Sequence, residues 1–105
     1  MSIIEITCHE ALAMQHAGAL ILDVREPWET QLAGIDDALN IPMQMIPDAL
    51  KTLPADQDIL CLCHHGIRSR HVAVWLAQQG FSKLYNIKGG ISAWSREVDP
   101  TIASY

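Results

Sequence analysis

The sequence has few of the features that mark several large classes of protein. Lysine and arginine number only seven against twelve acidic residues, which gives a formal net charge of −5. The basic residues are scattered, so the sequence argues against a nucleic-acid or membrane-surface partner. No apolar run approaches the roughly 18 residues of a membrane span, and Glu5 and Glu10 interrupt the N-terminal segment, unlike a signal peptide. We therefore expect a cytoplasmic protein.

Cysteine is also scarce, and only Cys8, Cys61 and Cys63 are present. An odd number of cysteines in a reducing compartment argues against a disulfide framework and for free thiols. Half of the residues are apolar, which is enough for a core without metals or disulfides. The length of 105 residues corresponds to one domain, placed at residues 1–105 with a core at about 3–98 and a loose C-terminal tail.

Short apolar runs alternate with helical patterns along the chain. Strands are predicted at 3–6, 20–24, 38–41, 59–63 and 83–87, and helices at 7–17, 27–32, 47–53, 68–79 and 91–98. Thr7 and Glu10 form a capping box at the first helix, and Pro27 suits the first turn of the second. This alternation predicts an α/β fold with a parallel sheet covered on both faces, whose ligands bind beyond the carboxyl ends of the strands.

The segment from Cys63 to Arg70 carries the chemistry. Cys63 ends an apolar strand, and a helical pattern begins shortly after it. The loop between them lies at a helix N-terminus, where backbone N–H groups can converge on the sulfur and favour its thiolate. Gly66 permits the tight turn, and Arg68 is placed to bind an anionic oxygen or a persulfide. Cys63 is therefore predicted to be a nucleophile rather than an ordinary buried strand cysteine.

Four segments resemble the signature motifs of rhodanese domains. They are Leu22–Glu29 (LDVREPWE), Ala38–Pro42 (ALNIP), Cys63–Ser69 (CHHGIRS) and Gly89–Trp94 (GGISAW). Their order and spacing fit the family over about residues 3–98. The stretch before the second motif lacks the family's histidine and its second glycine, which are positions that shape a turn.

The resemblance implies a rhodanese-like five-stranded parallel sheet with helices on both faces. It also implies that Cys63 is catalytic and that the loop binds the substrate through His64, His65, Gly66, Ile67, Arg68 and Ser69. The Cys63 thiolate would attack the outer sulfur of a donor such as thiosulfate, and a thiol or cyanide would then take the sulfur from the persulfide. The implied enzyme is a thiosulfate sulfurtransferase without a metal or organic cofactor, and its acceptor is a small-molecule or protein thiol.

Three residues near the end of the second strand are predicted to support the site. Asp23 and Arg25 act either as a catalytic acid or an anion binder, or they hold neighbouring loops by hydrogen bonds, which is the commoner role of strand-end charges. Trp28 is expected to wall the pocket. The neighbouring histidines, His64 and His65, are expected to add positive charge at about pH 6–7.

Other chemistries are open to the same cysteine. Only four residues separate Cys63 from Arg68, one fewer than in the cysteine phosphatases, so the loop suits a sulfur atom better than a phosphate. A sulfur carrier that receives sulfur from another protein would need the same cysteine and the same loop of N–H groups around it. A redox sensor would use Cys61 with Cys63 on one strand face, although neighbours at i, i+2 rarely form a disulfide.

A metal site is the remaining alternative. The cysteines and histidines that would form it are Cys61, Cys63, His64, His65 and His71. They make one cramped cluster, whereas a structural zinc site needs two spaced ligand pairs. No metal is therefore predicted.

Overall fold

The strands of the molecule form one parallel sheet. The computed structural model describes residues 3–105 and contains β1 (Ile4–Ile6), β2 (Leu20–Asp23), β3 (Leu39–Asn40), β4 (Ile59–Leu62) and β5 (Leu84–Ile87). Every neighbouring pair is parallel, and the strand order is β1-β5-β4-β2-β3. This confirms the predicted α/β fold with a five-stranded parallel sheet. Strand β4 lies at the centre, and Cys63 follows it directly.

Helices connect the strands. They are α1 (Cys8–His16), α2 (Pro27–Leu32), α3 (Ile46–Ala49), α4 (Ile67–Gln78) and α5 (Gly90–Glu97). The predicted capping box is present, with the Thr7 N–H donating to Glu10 Oε1 at 2.8 Å and the Glu10 N–H to Thr7 Oγ1 at 3.1 Å. Within residues 3–105 no helix has the length and hydropathy needed to cross a membrane.

The predicted helix at 47–53 is divided in the structure. Helix α3 is a single turn, flanked by 3₁₀ turns at Met43–Met45 and Leu50–Thr52. Of the residues in α3 only Ile46 is buried. One buried side chain supplies too little apolar surface to hold a longer amphipathic helix against the sheet.

Side chains of β4 alternate between two core clusters. Leu60 and Leu62 pack in the cluster that contains residues of α1 and α5, including Trp94. Cys61 and Cys63 face the opposite side, in the cluster that contains residues of α3 and α4. Helices therefore cover both faces as predicted, and the two cysteines share a face because the strand repeat is two residues.

The segment after Pro100 packs on the domain, which differs from the expected loose tail. Ile102 and Tyr105 contact the cluster beneath α1 and α5. The Tyr105 hydroxyl donates to Glu29 Oε1 at 2.8 Å and accepts from Arg25 Nη1 at 3.0 Å. An aromatic ring that finds both apolar contacts and hydrogen-bond partners can hold a terminal segment in place. Residues 1 and 2 of the predicted domain lie outside the described residues.

Candidate active site

Cys63 lies at the base of the loop that joins β4 to α4. The residue is only 1% exposed, and its Sγ accepts a hydrogen bond of 3.0 Å from the Gly66 N–H. Gly66 has a φ of +101°, and a Cβ at this position would lie 3.3 Å from the Gly89 nitrogen. A side chain is therefore opposed by both the left-handed backbone and the close neighbour. The N–H groups of the first turn of α4 have no carbonyl partner within the helix.

Helix α5 holds this loop from the other side. The Ile91 N–H donates to the Cys63 carbonyl at 2.9 Å, and the Ser92 N–H donates to the His64 carbonyl at 3.1 Å. A trans peptide points its C=O and N–H in opposite directions. Because both carbonyls face α5, the N–H groups of the next residues point away from it. The Gly89–Trp94 motif thus fixes the orientation of the loop that follows Cys63.

Arg68 is held by a carboxylate from α2. Its Nη1 and Nη2 donate to Glu29 Oε2 and Oε1, each at 2.9 Å. Glu29 also accepts from the Glu26 N–H and the Tyr105 hydroxyl, both at 2.8 Å. The bonds from Arg68 are the main cause that lowers the pKa of Glu29 to about 2. The Arg68 side chain keeps 37% exposure, so its remaining N–H groups can reach an anion.

We expect a Glu29→Gln variant to be less stable than wild type at neutral pH, and this difference in the free energy of unfolding should shrink in acid. Because folding lowers the pKa of Glu29 from 4.5 to about 2, its carboxylate stabilises the fold above about pH 4.5, and this contribution disappears as the pH falls toward 2. The shift corresponds to at most about 3 kcal/mol, and screening at partly exposed Arg68 reduces it to about 1–2 kcal/mol. In urea unfolding, the gap between wild type and variant should shrink between about pH 7 and pH 3.

Exposed Glu97 provides the control for this measurement. A Glu97→Gln change should leave the free energy of unfolding nearly unaltered at both pH values. If the gap for Glu29→Gln stays constant with pH, the carboxylate–guanidinium pair does not stabilise the folded state.

Ser69 and Asn86 extend the site beneath the sulfur. Ser69 Oγ lies 3.3 Å from Cys63 Sγ and 2.5 Å from Asn86 Oδ1. Asn86 Nδ2 donates to the Glu5 carboxylate at 3.0 and 3.2 Å and to the Gly66 carbonyl at 3.0 Å. Ser69 and Asn86 are buried, so Ser69 contacts the Cys63 sulfur from within the core.

Sequence reasoning missed Glu29 and Asn86. Glu29 closes the LDVREPWE motif, and the available signal was an acidic side chain in a motif expected to support an anion site. Asn86 is a polar residue inside the apolar strand β5, paired in register with Cys61 of β4. A buried amide in a central strand needs partners, and that requirement pointed to the site.

The His64 ring stacks with both His65 and Tyr105. The His64 ring lies 4.0 Å from the His65 ring and 4.0 Å from the Tyr105 ring, measured between centroids. Burial is the main cause that lowers the pKa of His64, which opposes the positive charge expected of this residue. His65 and Ile67 are exposed at the mouth of the loop.

Trp28 stands at the periphery of the site. It is 61% exposed and makes an edge-on contact with the Tyr105 ring at a centroid distance of 6.1 Å. Tyr105 therefore lies between Trp28 and His64, and the indole borders the site through that ring.

Asp23 and Arg25 form a buried pair beneath the α2 connection. Arg25 Nη2 donates to Asp23 Oδ2 at 2.6 Å and to the Ala33 carbonyl at 2.7 Å. Asn40 Nδ2 donates to the carbonyls of both residues, at 2.9 and 2.8 Å. Arg25 has no exposed surface. This arrangement holds the neighbouring loops and leaves the Arg25 guanidinium no access to a solvent anion.

Cys61 is fully buried, and burial raises the pKa of its thiol to about 12. A neutral, enclosed thiol is a poor nucleophile and a poor resolving group. We expect Cys61→Ala to keep sulfur loading within about twofold of wild type, at a cost of about 1 kcal/mol in stability. Loss of loading, measured by intact mass on correctly folded protein, would instead support a redox pair with Cys63.

Residues 3–105 contain no His, Cys, Asp or Glu cluster arranged to hold a metal ion.

The fold and the site together define a parallel α/β domain whose buried cysteine lies in the loop between the central strand and a helix. The family described as Rhodanese-like domain matches residues 7–97. The chain belongs to this family, as its motifs predicted.

Comparison with individual proteins agrees with this assignment. A sulfurtransferase of Allochromatium vinosum is 39% identical over 84 residues, which cover 80% of this chain and 78% of the relative. The thiosulfate sulfurtransferase GlpE of Vibrio cholerae is 34% identical over 101 residues, covering 96% and 94% of the two chains. The crystal structure of reduced CoADR-RHD from Bacillus anthracis superposes with a TM-score of 0.89 at 29% identity, over 97% of this chain and 18% of that longer one. These relatives support sulfurtransferase activity.

Proposed function

We propose that this protein is a sulfurtransferase that carries sulfane sulfur on Cys63 as a persulfide, with thiosulfate as donor and a thiol or cyanide as acceptor. One observation supports this more than any other. Cys63 Sγ accepts the Gly66 N–H at 3.0 Å in the loop that leads into the N-terminus of α4. Such a loop stabilises negative charge on the sulfur before the reaction and on the persulfide after it.

The reaction takes place in two balanced half-reactions. In the first, the Cys63 thiolate attacks the outer sulfur of thiosulfate, the sulfur–sulfur bond of the donor breaks, and sulfite leaves with the bonding electron pair. In the second, cyanide or a thiolate attacks the outer sulfur of the persulfide, and the electron pair returns to Cys63. The acceptor leaves as thiocyanate or as a new persulfide, and no net charge remains on the protein beyond the original thiolate.

The protein contributes orientation and charge to these steps. The first-turn N–H groups of α4 bind the developing persulfide anion, and the free N–H groups of Arg68 bind donor oxygens. The burial of Cys63 keeps water from the persulfide, so transfer to the acceptor competes well with side reactions. The loop from His64 to Ser69 thus serves as the substrate site. The cytoplasmic location of the protein stays a prediction.

Intact mass spectrometry without reductant tests this proposal. Incubation with thiosulfate should add one sulfur, about 32 Da, to wild type and to Cys61→Ala, but none to Cys63→Ser. Sulfur on the Cys63→Ser variant would place the persulfide on another cysteine. No addition to wild type would eliminate thiosulfate as the donor.

A protein acceptor is the second candidate. The observation in its favour is Ile67, an apolar residue of the catalytic loop that is 68% exposed. Ile67 follows Gly66, whose N–H donates to Cys63 Sγ, and contact with another protein would remove this apolar side chain from water. Ile67→Ser should then slow transfer from the loaded enzyme to a protein thiol more than it slows transfer to cyanide. If Ile67→Ser changes the rates of transfer to the protein thiol and to cyanide equally, a small-molecule acceptor is favoured.

A further inference from the structure

The orientation of the Asn86 amide is fixed by its surroundings. Its Nδ2 donates to the Glu5 carboxylate and to the Gly66 carbonyl, and both of these groups can only accept hydrogen bonds. A flipped amide would bring Oδ1 against these oxygens. Because Asn86 is only 2% exposed, water cannot relieve that repulsion. Asn86 Oδ1 therefore faces Ser69 Oγ, at 2.5 Å.

The single hydroxyl proton of Ser69 has two competing acceptors. Asn86 Oδ1 cannot donate, so the short contact requires that the Ser69 O–H donates to it. A lone pair of Ser69 Oγ then faces Cys63 Sγ at 3.3 Å. When Cys63 is a thiol, its S–H can donate to this lone pair. Every group in the chain Cys63–Ser69–Asn86 then has a partner.

The bare thiolate breaks this arrangement. The sulfur has no proton to donate, so Ser69 either presents a lone pair to an anion or turns its proton to the sulfur. If it turns, Asn86 Oδ1 remains buried without a donor, which is unfavourable. In the persulfide the negative charge moves to the outer sulfur, and the inner sulfur is bonded to two atoms. Ser69 can then keep its bond to Asn86.

We infer that Asn86 is a positioning residue that acts through the Ser69 proton to favour the sulfur-loaded form of Cys63 over the bare thiolate. The inference deepens the proposed function and rests on it. The preference affects the equilibrium of sulfur loading, because the empty thiolate is the form of Cys63 that remains when sulfur leaves. Removing the Asn86 acceptor should stabilise that state, and we expect the equilibrium between thiosulfate and sulfite on the enzyme to shift about tenfold toward the empty form.

The equilibrium can be measured directly. Enzyme is mixed with thiosulfate and sulfite at varied ratios, at a pH where alkylation of Cys63 has reached its plateau rate, so that the empty form is the thiolate. Intact mass gives the loaded fraction for wild type, Asn86→Ala, Ser69→Ala and the double variant. We expect Asn86→Ala to need about ten times more thiosulfate relative to sulfite for half loading. In the Ser69→Ala background the same change should shift the midpoint less than about twofold.

The double-mutant cycle separates the proton role from a structural one. If Asn86→Ala shifts the midpoint equally with and without the Ser69 hydroxyl, it acts through the loop carbonyl of Gly66, and the inference is wrong. Asn86→Val, which suits a strand position, replaces the alanine variant if that one unfolds. Failure of wild type to load from thiosulfate would overturn the proposed function and this inference with it. Normal loading with an additive cycle would overturn only the inference.

Discussion

Gly90→Ala is expected to lower the free energy of unfolding by about 3–5 kcal/mol and to abolish sulfur loading. An added Cβ would lie 2.5 Å from the His64 carbonyl oxygen and closer still to that of Cys63, on a backbone with a φ of +59°. Both oxygens accept the hydrogen bonds that tie the loop after Cys63 to α5. Relief of the clash must move either α5 or the loop, so stability and activity should fall together.

Gly80→Ala is the matched control for this change. Gly80 has a φ of +100°, but a Cβ there would meet nothing within 4 Å. This variant bears only the conformational cost of a left-handed residue, about 1 kcal/mol, and should load sulfur normally. Urea unfolding and intact mass measure both quantities. Similar losses in the two variants would mean that the close approach of α5 to the loop does not determine the effect.

Arg25→Met is expected to destabilise the domain by about 3–5 kcal/mol. The change leaves the Asp23 carboxylate, 2% exposed, without its main partner, and it removes the donors to the Ala33 carbonyl and to the Tyr105 hydroxyl. A charge buried without a partner is more unfavourable than the intact pair is favourable. The midpoint of urea unfolding should fall accordingly, while any protein that remains folded should still load sulfur.

Two variants calibrate this result. Arg96→Met removes an exposed arginine of α5 and should change stability by less than about 0.5 kcal/mol. Combining Arg25→Met with Asp23→Asn removes the unpaired charge and should recover part of the loss. If the double variant is no more stable than Arg25→Met alone, the loss comes from packing and not from the stranded carboxylate.

Local patterns carried most of the fold prediction. The apolar run of β4, the capping box at Thr7 and the turn at Pro27 depend on neighbours along the chain, and each is present in the structure. The Cys63 loop could be located for the same reason, since its glycine, arginine and following helix are contiguous. The helix predicted at 47–53 failed because its length depends on what the segment packs against.

Contacts between residues of the site join positions that are far apart in the chain. Glu29 is 39 residues from Arg68, and Asn86 is 17 residues from Ser69. Tyr105 is 76 residues from the Glu29 carboxylate that it contacts. Local periodicity carries no information on contacts between residues so far apart in the chain, which is why the sequence alone predicts a loose tail after Pro100.

The sequence by itself determined the alternation of strands and helices, the family motifs and the position of the candidate nucleophile, because these follow from side-chain spacing and from contiguous residues. Only the tertiary structure decided which groups surround Cys63. The strand order places β5 and β2 on either side of β4, which brings Asn86 beneath the sulfur and the α2 carboxylate to Arg68. Those contacts arise from packing across the sheet, where residues meet by the order of strands in space and not by their order in the chain.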